Sequence, residues 1–330
     1  MNLDGWMPVR IARRADGPRV EWILMGAERL RDPFFVQTMQ RQMMKPFHQL
    51  FRRETTIDEM IAWTAANPGA PLRGIVFHMS RCGSTLIGQQ LAALERTIVA
   101  SEPEPMDDAL RVTPRFPGLP GSDEVRLVRA LAAALGQPRN GENALYLKTD
   151  CWHIHRFDLL RQAFPDAPWI FLYRDPIEVL VSQQRMPSAW SVPGLMHPAM
   201  LGLEPGDWSP AERDVYCARA LAQVCDAGLR AAQQAGSGLL VNYTELPDAM
   251  YGRLFRHFSL RAEDLPAMRS AAERDAKAPA GKFTPDRAGK QAEATERLRA
   301  VVAEHLAPIY AQLEAERLTS LHAAGSAISP

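Results

Sequence analysis

The sequence lacks most of the features that mark a special structural class. It has four cysteines, Cys82, Cys151, Cys217 and Cys225, in 330 residues. None form a CxxC pair, and no Cys/His group has zinc-like spacing. On a helix, Cys217 and Cys225 would fall about two turns apart, beyond disulfide reach. This usage argues against a disulfide-stapled secreted fold and fits a reduced, cytoplasmic setting. Net charge is also missing, with 38 Lys plus Arg against 38 Asp plus Glu. That balance argues against a dedicated nucleic-acid binder, which carries a basic excess, but leaves room for a local anion site. No apolar run reaches the roughly 18 residues of a membrane span. Met1 to Val20 is polar and broken by Pro8 and Gly17, unlike a signal peptide. No internal repeat is visible.

What is present is ordinary globular composition, 46% hydrophobic and 23% charged. The length suits one large α/β domain with appendages, or two modest domains. Residues 1–70 read as an N-terminal appendage. Val20 to Met25 is a candidate strand. Asp32-Pro33 opens a helix carrying Phe34, Phe35, Met39, Met43 and Met44, a stripe expected to pack. Thr55 to Ala66 reads as a second helix with Thr56 or Asp58 near its cap.

From Arg73 the pattern becomes strand, turn, helix, repeated. Short apolar runs at 74–77, 97–100, 144–147, 169–173 and 238–243 do not alternate, which fits strands buried on both faces. Helical stretches at 85–96, 124–135, 153–164 and 177–184 separate them. The expectation is an α/β fold, a doubly wound parallel sheet flanked by helices, over 71–318. Ligands in such folds sit beyond the carboxyl ends of the strands. A proline-rich loop, 186–214, carries Trp190 and Trp208, which would line an acceptor pocket or pack the loop. Ala211 to Gln234 reads as one helix. Ala292 to Ala315 reads as another, kinked or divided at Pro308. The tail, 319–330, is expected to fray.

After the first of these strands comes Arg81-Cys82-Gly83-Ser84-Thr85. A turn containing Gly, followed by Ser-Thr opening a helix, makes an anion cradle of backbone N–H groups. The lysine of the GxxxxGK[ST] loop is missing, which argues against a nucleotide kinase. Arg174 follows the fourth strand and precedes Asp175-Pro176, a cap and a first helical position. Ser182 stands eight positions after Arg174. A strand-end Arg can grip phosphate with paired donors.

In order and in context, these two motifs resemble those of the sulfotransferases that use 3′-phosphoadenosine 5′-phosphosulfate. The first resembles the family's [KR]-S-G-T-T loop, which holds the 5′-phosphosulfate. Here Cys82 replaces the usual Ser, and Ser84 the usual Thr. The second resembles the Arg and Ser that bind the 3′-phosphate. Asn242-Tyr243-Thr244-Glu245-Leu246 resembles the family's Y-E-D-[LM] strand end, whose Tyr lies near adenine. Lys282-Phe283, followed by Asp286 and Lys290, loosely resembles its C-terminal nucleotide-contacting stretch. The resemblance covers about 73–313 and implies a nucleotide site of Arg81, Cys82, Gly83, Ser84, Thr85, Arg174, Ser182, Tyr243 and Lys282. It also implies a small-molecule acceptor with a hydroxyl or amine, and no metal.

The third strand ends in Lys148-Thr149-Asp150, where cytosolic members carry K-T-H. The His base is therefore not transferable, while Lys148 matches and would neutralise sulfonate or leaving-group charge. Carbohydrate and tyrosyl-protein members, which use a Glu after the second strand, are the closer match. Glu102 stands there, 21 positions after Arg81. Glu102 is the first candidate base and Asp150 the second, with Glu104, His78 and His153 as outsiders. His153 and His155, two apart, do not share a helical face, so a metal pair is not expected. The competing readings are a non-catalytic adenosine-bisphosphate-binding module and a carboxylate at 102 that serves only as an ion-pair partner.

Overall fold

The structure is a computed structural model that describes residues 2–111, 121–206, 208–234, 238–277, 281 and 286–326. Its chain divides into two units, one of 1–75, 85–168 and 251–283, the other of 76–84, 169–250 and 284–330.

The first unit opens with an antiparallel sheet of β1 (Trp6–Arg14), β2 (Gly17–Leu24) and β3 (Arg53–Thr56), in that order. The sequence reading found β2 and missed its partners. Pro8 hides β1, because a proline interrupts a strand ladder unless it lies on an edge or at a bulge. Here β1 is an edge strand, and its register shifts between Pro8 and Arg10. The freed Ile11 N–H donates to the buried Asp108 carboxylate at 2.7 Å. That bond ties the N-terminal sheet to the helix Glu104–Leu110. β3 reads Arg-Glu-Thr-Thr, too polar and short to announce a strand.

The expected N-terminal helices are present as Phe35–Met43 and Ile57–Ala66, with a short helix, Pro46–Leu50, between them. Thr56 caps Ile57–Ala66: its side chain accepts from Glu59 N–H at 3.0 Å, and the Glu59 carboxylate accepts from Thr56 N–H at 2.7 Å. The Met/Phe stripe packs only in part. Phe35 and Met39 are buried, whereas Met43 and Met44 are exposed.

The five expected strands are all present: β4 (Leu72–His78), β5 (Thr97–Ser101), β6 (Ala144–Lys148), β7 (Trp169–Tyr173) and β8 (Gly238–Asn242). They form a parallel sheet in the order β5-β6-β4-β7-β8. Every residue of β5, β6 and β7 is buried, which is why these runs do not alternate. Burying each large apolar side chain contributes about 1.5–3 kcal/mol. The division between units falls within β4, after Ile75.

Register decides which strand-end residues become neighbours. Ser101 pairs with Lys148, and Tyr173 pairs with Asn242. The residues that leave the sheet next, Glu102 and Thr149 in one unit, Arg174 and Tyr243 in the other, therefore emerge side by side.

Several helix boundaries differ from expectation. The stretch after β6 begins as a 3₁₀ turn, Cys151–Arg156, before the helix Phe157–Ala163. The C-terminal helical stretch is divided, one of the two outcomes expected at Pro308, into Glu296–His305 and Ala307–Ser326, preceded by Arg287–Glu293. Pro308 marks the division. It lies in the first turn of the second helix, where a missing N–H costs nothing. Residues 319–326 continue that helix rather than fraying, and 327–330 lie outside the described residues. The loop 186–214 holds 3₁₀ turns at Ala189–Ser191, Pro198–Leu201 and Pro210–Glu212. Trp190 is buried, and Trp208 lies edge-on to Tyr216 at 5.1 Å on the helix Arg213–Gln234. No helix among the described residues is long and apolar enough to cross a membrane.

Candidate functional site

In the second unit, the end of β4 turns sharply. Ser80, Arg81 and Gly83 all have left-handed backbones, with φ of 70°, 52° and 92°. For Ser80 and Arg81 this conformation costs of order 1–3 kcal/mol each and persists only where neighbours enforce it. The enforcing contacts are on view. Ser80 N–H donates to His78 Nδ1 at 2.9 Å, and the buried Gln183 donates to Ser80 Oγ at 3.3 Å. Arg81 donates to the carbonyls of Ser182 (3.3 Å) and Met186 (2.7 Å), at the carboxyl end of the helix Pro176–Arg185. Cys82 is fully buried, and its thiol donates to Leu172 O at 3.2 Å, so only its backbone can serve a ligand. Gly83 is required twice, by its φ and by space. A Cβ there would lie 2.6 Å from the Tyr243 ring.

Arg174 emerges from β7 beside Tyr243, with its guanidinium 4.0 Å from the ring centroid. Its Nε donates to Glu178 at 2.6 Å and its Nη2 to Asp286 at 2.9 Å. Burial alone would lower the Arg174 pKa, but these two carboxylates outweigh it, and the group stays charged. Glu178 also meets Arg287 at 3.1 Å, and Asp286 meets the buried Lys290 at 2.6 Å. Asp175 accepts from Ile177 N–H at 2.9 Å and Pro176 begins the helix, as the sequence predicts. Ser182 is half-buried on the same helix. Tyr243 begins a 3₁₀ turn, Tyr243–Glu245, immediately after β8. Lys282 lies outside the described residues.

In the first unit, Glu102 has a left-handed φ of 54°, a strained conformation for a non-glycine residue. Its N–H donates to Lys148 O at 2.7 Å, fixing the turn. Its carboxylate is ion-paired with Lys148 Nζ. The Lys148 side chain is 1% exposed and that of Glu102 is 24% exposed, so Glu102 is the solvent-facing member. Phe34 lies against the same ammonium, with Nζ 5.0 Å from its ring centroid. Lys148 is thus an ion-pair partner of Glu102.

Asp150 follows on the next turn. Burial pushes its carboxyl well above the usual range, and the charges of Glu102 and Asp107 add to the shift. His153 Nδ1 accepts from Asp150 N–H at 3.2 Å, so its Nε2 carries the proton and donates to Asp107 at 2.9 Å. Trp152 donates to the same Asp107 oxygen at 2.9 Å, and Arg111 faces the other at 2.9 Å. Burial would raise the Asp107 pKa, but these partners hold it below the usual range. The ligand atoms of Asp107, Asp150 and His153 lie within 4.8 Å of one another. Their hydrogen bonds make a network in which Asp107 is already fully engaged. Ser84 and Thr85 are buried at the start of the helix Ser84–Ala92.

Sequence reasoning missed Asp107, Glu178, Gln183 and Phe34 as parts of these clusters. One signal was readable. Glu178 stands four residues after Arg174, on the helix that Asp175 caps. The others depend on long-range contacts that no local pattern announces.

No protein-family model matches the chain, and no curated protein matches it. Among solved structures, it is similar to the sulfotransferase STF9 from Mycobacterium avium at 17% identity and a TM-score of 0.45, over 76% of this chain and 81% of that one. It is similar to the sulfotransferase domain from the curacin biosynthetic pathway at 14% identity and a TM-score of 0.44, over 72% and 97%. It is also similar to a sulfotransferase from Alicyclobacillus acidocaldarius at 16% identity and a TM-score of 0.43, over 75% and 96%.

Proposed function

We propose that the chain is a cytoplasmic sulfotransferase that moves the sulfuryl group of 3′-phosphoadenosine 5′-phosphosulfate to a hydroxyl or amine of a small-molecule acceptor. The observation that supports this best is the grip after β7, where the guanidinium of buried Arg174 lies 4.0 Å from the centroid of the Tyr243 ring, beside the glycine turn at Gly83. A guanidinium beside a half-buried aromatic ring suits a phosphate next to a purine. The left-handed turn at Ser80–Gly83 suits the 5′ side, with backbone N–H groups of 82–85 as donors and Arg81 close by. Ser182 and Lys282 are assigned to the nucleotide by the same motif reading.

The acceptor chemistry is assigned to the first unit. The acceptor oxygen or nitrogen bonds to sulfur, the bond from sulfur to the phosphate oxygen breaks, and the acceptor proton goes to Glu102. Lys148 neutralises the negative charge that develops. Glu102 suits a base because it is the more exposed partner of the ion pair and sits on a strained turn. Asp150 suits that role less well, since burial raises its pKa and so favours its protonated form. This assignment places the chain nearer the members that use a Glu base.

Calorimetry with adenosine 3′,5′-bisphosphate and ADP tests the nucleotide, and a sulfonate-transfer screen over alcohols, phenols, sugars and amines, read by mass spectrometry, tests the reaction. The bisphosphate should bind more tightly by about 1.5–3 kcal/mol, one charge-assisted contact. Equal affinity for the two ligands would remove the nucleotide reading. Preference for the bisphosphate without transfer to any acceptor would favour a binding module.

A further inference from the structure

Arg174 and four other charged side chains form a cluster, and their burial is uneven. Arg174 and Lys290 are 5% and 4% exposed, and Glu178 is 1% exposed. The side chain of Asp286 is 43% exposed and that of Arg287 is 61% exposed. Two almost wholly buried cations, Arg174 and Lys290, therefore share one half-exposed carboxylate, at 2.9 and 2.6 Å. Glu178 differs in kind. It is four residues from Arg174 on one helix and is enclosed, with Arg287 on its other oxygen. A ligand arriving from solvent meets Asp286 and not Glu178. In charge, three cations face two carboxylates among the described residues, a balance of one positive charge.

We propose that Asp286 is an internal counter-ion, held on Arg174 and Lys290 where a phosphate monoester would bind, and that the phosphate must displace it. The inference rests on the nucleotide reading above and adds a residue that sets affinity. A carboxylate brings one negative charge and two acceptor oxygens, while a phosphate monoester brings up to two charges and three oxygens. The exchange therefore favours a dianion over smaller or singly charged anions. Asp286 keeps two buried cations compensated, because an unpaired buried charge is strongly destabilising. It also lowers the affinity for every anion by the free energy of its own contacts.

The test compares wild type with Asp286→Asn, using adenosine 3′,5′-bisphosphate in calorimetry and inorganic phosphate in thermal melts. Asparagine keeps the shape and removes the charge. Asp286→Asn should bind the bisphosphate roughly tenfold more tightly or better. In phosphate-free buffer it should melt below wild type, and millimolar inorganic phosphate should restore it while moving wild type less. If wild type prefers the bisphosphate to ADP but Asp286→Asn binds it equally or more weakly, with no response to phosphate, the inference is wrong. Asp286 would then only position Arg174. If wild type shows no preference and neither protein responds to phosphate, the nucleotide reading falls and takes this one with it. Should Asp286→Asn not fold, Lys290→Met decides. A roughly tenfold loss of bisphosphate affinity supports the shared grip, and an unchanged affinity overturns it.

Discussion

The two charged clusters are built with opposite balance. Around Arg174, among the described residues, cations outnumber carboxylates, three to two. Around Asp107, Asp150 and Glu102, the described ion pairs bring two obligate cations, Arg111 and Lys148, to three carboxylates, with His153 between Asp150 N–H and Asp107. An excess of cations is completed by an anion. Crowded, buried carboxylates are relieved by a proton, the direction in which burial first, and then Glu102 and Asp107, push the Asp150 pKa. The same parallel-sheet device produced both, since register sets two strand-end residues side by side. What differs is the sign of the charge that the sequence places after each strand.

If the clusters divide the work in this way, one set of substitutions should change turnover and the other affinity. Glu102→Gln removes basicity and keeps shape. Turnover should fall by about 10²–10⁴-fold, the usual contribution of a catalytic base, while calorimetry finds the bisphosphate affinity of wild type. A variant with normal turnover and weakened nucleotide binding would invert the assignment.

Arg174→Ala probes the other cluster and should have the next largest effect. It should erase the preference for the bisphosphate over ADP, about 1.5–3 kcal/mol. It also takes from the buried Glu178 its buried cation and leaves it, among the described residues, the exposed Arg287 and the side-chain amide of Gln291, so some loss of stability should accompany it. The ratio of the two affinities isolates the phosphate contact, because destabilisation acts on both ligands alike. An unchanged ratio would break the comparison on this side.

How much of this was legible in the sequence follows from the range of the interactions. The five parallel strands were readable because complete burial leaves a local mark, an unbroken apolar run. Arg174, Asp175 and Pro176 were readable because a strand end and a helix cap are local as well. β1 was not, because the feature that excuses Pro8, an edge position with a bulge, exists only once β2 has paired. Phe34 against Lys148 and Asp286 against Arg174 join positions more than a hundred residues apart. Nothing near either residue foretells the contact. Lys148 as a partner of Glu102 comes from the register of β5 with β6, which is equally invisible along the chain.

Gly83→Ala tests the turn rather than a charge. Alanine must adopt a φ of 92° with its Cβ 2.6 Å from the Tyr243 ring. The strain should lower stability by about 1–3 kcal/mol, and the displaced ring should weaken bisphosphate and ADP together, since both carry adenine. Thermal melts and calorimetry read the two effects. A variant as stable as wild type, with both affinities intact, would show that the turn and Tyr243 do not depend on each other.

The smallest effect expected is also the most specific, because adjacent carboxylates should respond to pH with opposite signs. Asp150 has its folded-state pKa raised, by burial first and then by Glu102 and Asp107. The folded chain thus holds this proton more tightly than the unfolded chain, where Asp titrates near ~3.9. That contribution to stability is complete below the unfolded value and is lost as pH rises through the folded one. Asparagine cannot ionise. Asp150→Asn should therefore match wild type in acid and become the more stable protein as pH rises. Asp107 is the reverse case. Burial opposes its ionisation, but His153, Trp152 and Arg111 hold its pKa below the usual range. Its contribution is present above the unfolded value and lost as pH falls through the folded one. Asp107→Asn should be less stable than wild type at neutral pH, with the gap closing in acid. Melting temperatures of the three proteins across pH, each variant taken as a difference from wild type, would resolve the two slopes. Slopes of the same sign would mean that the carboxylates do not share one crowded proton site. Transfer assays on the same samples add a second reading. If Asp150→Asn abolishes sulfonation while Glu102→Gln leaves it intact, the base lies after the third strand of the parallel pattern, and ionised Asp150 takes the acceptor proton.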